Sequence, residues 1–251
     1  MADKLQCKVG HEEDAVYQLD TSIWIADGEA VPFFALPYTT RVVVVRLADH
    51  SLWIHSPVKL TDALRTELAS LGRVRYLIAP NQLHHLFLSE WVEVFPDAQL
   101  MGTQQVAKKR DDLCFDHCFE DVSEPAWKDE IAQCLITGSP VMTECVFFHR
   151  QSQTLIVTDL IENFRPEAFS PFKRKIAEWA GVTAPNGKTP LDWRLSFWFH
   201  KDELAKHIRT VINWAPQRLV MAHGEIVEAA VPHLLRAFSW LGEKRLNAPT
   251  H

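Results

Sequence analysis

The chain alternates between short β-branched runs and segments of helical period. Residues 22–26 form a β-prone run closed by Asp27-Gly28, a turn pair. Residues 41–47 and 52–55 read as two further strands around a turn at Asp49-His50-Ser51, which predicts a hairpin. Val42, Val43, Val44 and Val45 are apolar without a break, so this strand is expected to be covered on both faces. The period changes over residues 60–71, where Leu64, Leu68 and Leu71 recur at helical spacing, Thr61 can cap the helix and Gly72 can stop it. Residues 74–79 predict a strand broken by Pro80-Asn81, and residues 83–94 a helix. A short strand at 98–101 and a helix start at 102–109 follow, and residues 110–128 show no clear period. Residues 144–149 and 154–158 predict a second hairpin turning at Gln151-Ser152-Gln153. The last third carries a helix near 173–180 and another at 202–214, the latter with Leu204, Ile208, Val211 and Ile212 on one face. A strand at 219–222, a turn at His223-Gly224 and a final helix at 227–241 complete the order. The result is a mixed α/β chain with buried sheets and outer helices.

Composition narrows the function classes. The 251 residues are 47% hydrophobic and 23% charged, with no repeat or Gly/Ser linker, which fits one compact domain over 1–251. Lys and Arg number 26 against 32 Asp and Glu; the net charge of −6 offers no basic footprint for nucleic acid. Apolar runs fall far short of the about 20 residues that a bilayer span needs. The first residues lack the apolar stretch of a signal peptide. The expectation is therefore a cytoplasmic protein without a membrane partner. Five scattered cysteines read as reduced thiols. The Cys114/His117/Cys118 group is too loosely spaced, and lacks a second pair, for a structural zinc site. No Gly-rich phosphate loop appears, which argues against a nucleotide fold. Of the nine tryptophans, Trp179, Trp193, Trp198, Trp214 and Trp240 lie in the C-terminal region and are expected mostly to pack helices on a sheet.

Candidate chemistry sits just after apolar strands. His84-His85 follows the strand at 74–79, Asp159 follows that at 154–158, and His223 follows that at 219–222. Loops beyond strand ends are where α/β proteins build sites, and imidazole with carboxylate suits Zn²⁺ or Fe²⁺. Asn81 can orient a ligand or make a local turn. Glu144 can serve as a base, a further ligand or half of a buried ion pair with Arg41. His55 is either a supporting hydrogen-bond partner of a ligand or a strand-end residue. Ser56 has no evident local partner beyond His55 that would make it a nucleophile.

Read in order, these residues resemble the metallo-β-lactamase superfamily, whose strand-end motif is His-x-His-x-Asp-His, followed by a later His, a bridging Asp and a final His. On this chain Pro80 and Gln82 stand where the first two histidines belong, His84 stands for the Asp, and His85 keeps the last His. Asp159 resembles the bridging Asp and His223 the final His, and residues 138–144 carry no third histidine. The text is most similar to the uncharacterised group called domain of unknown function 4336. It is so through residues 40–49, 52–57, 71–81, His84-His85-Leu86-Phe87-Leu88 and 154–160. The resemblance implies an αββα sandwich of two mixed β-sheets flanked by helices. It also implies loss of one metal subsite and at most one Zn or Fe ion at His84, His85, Asp159 and His223. Two functions follow: a metal-dependent hydrolase of a small ester, thioester or phosphoester, or a non-catalytic binding or interaction protein on a decayed hydrolase scaffold. A small-molecule ligand is expected either way.

Overall fold

A computed structural model describes residues 16–33, 36–120 and 125–248. In chain order it contains β1 (Tyr17–Asp20), β2 (Ile23–Phe33), β3 (Leu36–Arg46), β4 (Ser51–His55), α1 (Asp62–Leu71), β5 (Arg73–Ala79), α2 (Leu88–Val94), β6 (Gln99–Gly102), α3 (Gln104–Lys109) and β7 (His117–Cys118). Then come β8 (Ile131–Ile136), β9 (Glu144–His149), β10 (Thr154–Ile156), α4 (Pro171–Ala180), α5 (Leu191–Ser196), α6 (Lys201–Asn213), β11 (Arg218–Val220), α7 (Ala230–Ala237) and α8 (Glu243–Leu246).

The strands form two mixed sheets. Seven run in the order β1-β2-β3-β4-β5-β6-β7 and four in the order β11-β10-β9-β8. β4 to β7 pair in parallel and β1 to β4 antiparallel. In the smaller sheet only β10 and β11 are parallel. The valine run of β3 divides as its alternation requires. Val43 and Val45 face the other sheet, where they meet the cluster of Phe147, Ile156 and Val220. Val42 and Val44 face α1 and α2, with Leu64, Leu68 and Trp91. On the far side, Leu204, Ile208 and Val211 of α6 and Leu234 of α7 cover Val146, Leu155 and Leu219 of the smaller sheet. Two facing sheets with helices on both outer surfaces make an αββα sandwich.

Several sequence expectations are corrected. Asp27-Gly28 is not a turn: β2 continues through it, with Gly28 opposite Thr40. A Cβ at Gly28 would lie 2.7 Å from Thr40 Oγ1 and 2.9 Å from Val58 Cβ, so close approach is why glycine stands there. The helix expected at 83–94 begins only at Leu88, because the Asn81 side chain bends the preceding residues into turns. β1, β8 and α5 have no counterpart in the sequence reading. Thr61 does cap α1, its side chain accepting from Leu64 N at 3.2 Å. Trp193 is buried as expected, but Trp179 and Trp198 are exposed.

Candidate metal centre

The topology brings distant residues to one edge of the sandwich. β4, β5, β10 and β11 all end there, and β9, antiparallel to β10, begins there. Asp159 follows β10, His223 follows β11, and His84 lies in the turns after β5. Their ligand atoms lie within 4.8 Å of one another, the one such group among the described residues. His84 Nε2 is 3.1 Å from Asp159 Oδ2, and His223 Nε2 is 3.2 Å from Asp159 Oδ1.

The outer nitrogen of each imidazole is also held. His223 Nδ1 lies 2.5 Å from the Thr39 carbonyl. A carbonyl only accepts, so Nδ1 carries the proton and a neutral ring turns its Nε2 lone pair toward the Asp159 carboxylate. Two acceptors then face each other unless the ring is protonated or a cation lies between them. His84 Nδ1 is 2.6 Å from Ser56 Oγ, a hydroxyl that can accept or donate. Phe164 stacks on His223 at 5.9 Å, and Tyr38 meets it edge-on at 5.0 Å. Arg41 fixes the β11 end: it donates to the Met221 and Gly224 carbonyls at 2.9 Å each, while Asp27 holds its other face. Gly224 has φ 107°, and a Cβ on it would lie 2.1 Å from Asn163 O.

Beneath Asp159 lies a buried polar network centred on Asn81. Its Nδ2 is within 2.6 Å of Asp159 Oδ2, 3.0 Å of Glu144 Oε2 and 2.9 Å of Thr158 Oγ1. Its Oδ1 accepts from Leu83 N and His84 N, the local turn expected at this position. So Asn81 both orients Asp159 and sets the bend that carries His84. Glu144 is fully buried but does not pair with Arg41. It accepts from the backbone N–H groups of Thr158, Asp159 and Leu160. Burial pushes the Glu144 carboxyl up to about 7, the Asp159 charge adds to this, and the bonds from Thr158 and Asp159 oppose it. Burial would raise Asp159 as well. With both rings protonated, the charge of His84 and the bonds that both histidines then donate outweigh burial and hold it well below the usual carboxylate range.

His85 stands apart from the three-residue group. It lines the same cavity, its Nδ1 is buried without a hydrogen-bond partner, and its carbonyl accepts from Arg110. Burial, with the nearby Lys109 and Arg110 charges, pushes it down to about 4, so it is neutral at pH 7. His55 is enclosed in the core, stacked on Trp53 at 5.5 Å, and neither ring nitrogen has a hydrogen-bond partner. It therefore makes no supporting bond to the three-residue group; its neighbour Ser56 does, to His84. The partner of Ser56 is 28 positions away, which is why local sequence could not supply it.

Pro80 and Gln82, aligned above with the first two histidines of the motif, make structural hydrogen bonds. Gln82 Nε2 donates to Val141 O at 2.8 Å, and Pro80 O accepts from Cys145 N at 2.9 Å. The cavity over His84, Asp159 and His223 measures about 290 Å³ and is walled mainly by Val31, Pro57, Leu83, Leu86 and Phe87, with Lys109 at its edge. Cys114 and His117 are exposed and join no ligand group among the described residues.

The family described as Domain of unknown function (DUF4336) matches residues 20–176. Among curated proteins none matches the chain. Solved structures that resemble it include a metallo-β-lactamase from Pontibacter korlensis, at 11% identity and TM-score 0.59, over 91% of this chain and 99% of that one. A metallo-β-lactamase from Hirschia baltica is similar at 11% identity and TM-score 0.60, over 90% and 96% of the two chains. The DIM-1 metallo-β-lactamase exposed to ceftazidime is similar at 11% identity and TM-score 0.62, over 91% and 98%. Identities this low speak for the fold alone.

Proposed function

Because this chain belongs to the DUF4336 family, whose function is unknown, and has the metallo-β-lactamase fold, we propose a function from the site itself. We infer that His84, Asp159 and His223 hold a single Zn or Fe ion and that the protein is a metal-dependent hydrolase of a small ester, thioester or phosphoester. The observation that carries the reading is the His223 tautomer: Nδ1 donates to Thr39 O, leaving Nε2 turned toward the Asp159 carboxylate 3.2 Å away. Two imidazole nitrogens and a carboxylate around one point are a donor set for a borderline divalent ion. Both outer nitrogens have the oxygen partners that ligating histidines ordinarily have. Such an ion supplies Lewis acidity, making water nucleophilic near neutral pH and polarising the bond to be cut.

The protein's own groups do the rest. Three protein ligands leave a position open to substrate. Thr39 O and Ser56 Oγ fix the two rings, and Asn81 holds the carboxylate. The apolar walls admit an acyl or similar group and exclude water, while Lys109 gives an anionic substrate a countercharge. We assign His85, which lines the cavity outside the three-residue group, to the substrate side, in place of the ligand role expected from the sequence.

One observation favours a second reading, a non-catalytic binding protein. Asn81 and the two histidines already surround Asp159, so a protonated His223 can take the place of an ion. Elemental analysis of untagged protein separates the two. About one Zn or Fe per chain, lost in His223→Ala and Asp159→Asn, is the expected result. No metal after incubation with Zn²⁺, Fe²⁺ and Mn²⁺ overturns the hydrolase reading and leaves the binding protein.

A further inference from the structure

Most of the large apolar side chains that are exposed among the described residues fall in one stretch of the chain. Nine large apolar side chains are exposed among the described residues, and six of them, Phe172, Ile176, Trp179, Leu195, Trp198 and Phe199, lie within or next to α4 and α5. A single exposed leucine needs no explanation, but a cluster of aromatic residues does. Phe172, Trp179 and Phe199 are 75%, 76% and 90% exposed. On α4, positions 172, 176 and 179 share one face by helical spacing, while Ala177 turns the opposite way and packs with Phe164, Phe169 and Val182. Among the described residues, the outward stripe joins none of the hydrophobic clusters of the core. α5 adjoins it: Arg194 Nη2 donates to Ala180 O, at the end of α4, at 2.9 Å. Lys201 then lies 4.2 Å from the centre of the Trp198 ring.

Charge separates this region from the rest of the molecule. Between Pro171 and Lys201 there are six basic and two acidic residues, in a chain of net charge −6. Within this stretch Arg174 pairs with Glu178 and Glu167; of the acidic residues that follow, Asp202 pairs with Arg245, and Glu203 bonds to Thr137 and His200. Trp and Phe on a surface helix, edged by Lys and Arg, are suited to the headgroup boundary of a bilayer. The rings enter the upper acyl region there, and the cations stay with the lipid phosphates.

We propose that the α4–α5 face docks on an anionic lipid surface. Binding of this kind needs no spanning segment, and no described helix is long and apolar enough to cross a membrane. The expectation of no membrane partner rests on the lack of a long apolar run, and a surface helix of ten residues is not one. The proposal is independent of whether the site holds a metal.

Cosedimentation of the whole protein with vesicles tests it. Wild type is expected to bind phosphatidylcholine vesicles containing phosphatidylserine, to bind pure phosphatidylcholine far less, and to lose affinity as salt rises. Phe172→Ser/Trp179→Ser and, separately, Trp198→Ser/Phe199→Ser are expected to lower partitioning about tenfold or more. These side chains are exposed, so circular dichroism should be unchanged. Lys175→Glu reverses one charge beside the stripe and leaves its aromatic side chains in place, so it should weaken binding to the anionic vesicles only. The proposal is overturned if wild type stays in solution with anionic vesicles, or if neither double variant reduces binding. A dimer in light scattering that dissociates in Phe172→Ser/Trp179→Ser also overturns it, since a second copy would then be the occupant.

Discussion

Replacing Asn81 by alanine removes the centre of the network that holds Asp159. The side chain is fully buried, its amide reaches Asp159, Glu144 and Thr158, and its oxygen takes two backbone N–H groups. A hydrogen bond to a charged group contributes about 1.5–3 kcal/mol and a neutral one about 1, and buried groups left without partners add a desolvation cost. The expected loss is about 3–5 kcal/mol, since water can enter only part of the space vacated. For a domain of this size that lowers the melting temperature by roughly 10 °C. Urea titration followed by tryptophan fluorescence measures it, with an unchanged m-value as the check on two-state behaviour. Asn81→Asp is the sharper control. It sets a third carboxyl against Asp159 and Glu144, and that group must keep its proton in the folded state. Its folded pKa then exceeds the unfolded value of about 3.9, so the folded state binds more protons. Stability relative to wild type therefore falls as pH rises from about 4, by up to about 1.4 kcal/mol per unit. A loss below about 1 kcal/mol in Asn81→Ala, or an Asn81→Asp variant that follows wild type at every pH, would refute the reasoning.

Further predictions concern the surroundings of the site. Ser56→Ala removes the oxygen bonded to His84 Nδ1, and metal affinity should fall about tenfold or more with the fold intact; equal affinity by competitive chelator titration counts against this role. Glu144 is raised in the folded metal-free protein, to about 7, so its contribution is complete below the unfolded pKa of about 4.3 and is lost as pH rises through about 7. The stability advantage of wild type over Glu144→Gln should therefore shrink between those pH values; a constant or growing difference in urea midpoints contradicts the assignment. Gly224→Ala forces a methyl group against Asn163 O at a positive φ, and should destabilise by more than about 2 kcal/mol, a loss that thermal unfolding would detect.

The candidate site was legible where a strand and a polar residue are neighbours in sequence. Asp159 and His223 each lie three residues past an apolar strand, and the covering of β3 on both faces was visible in its four valines. What could not be read were contacts made across the fold. Ser56 meets His84, Thr39 meets His223, and Glu144 meets the backbone after β10, each through sheet pairing that local period does not encode. The apolar spacing of residues 83–94 suggested a helix from its first residue. Asn81 prevails over that tendency by capturing two backbone N–H groups, and the departure from helix is what aims His84 inward. Trp179 and Trp198 show the opposite limit: hydrophobicity alone does not say whether an aromatic ring faces the core or the solvent.

Arg41 has a mechanical consequence. It belongs to β3 of the larger sheet, yet its guanidinium grips the carbonyls of Met221 and Gly224 on either side of His223 in the smaller one. His84 likewise comes from the larger sheet's side, and Asp159 and His223 from the other. The site is thus a seam between two slabs, and a sideways slip of one against the other would pull the imidazoles out of register before either slab lost its own hydrogen bonds. A ligand gripping all three side chains would act as a rivet through that seam. It would stiffen the sandwich as a whole, and substitutions among the inter-sheet side chains, far from the cavity, would be felt first as weakened binding.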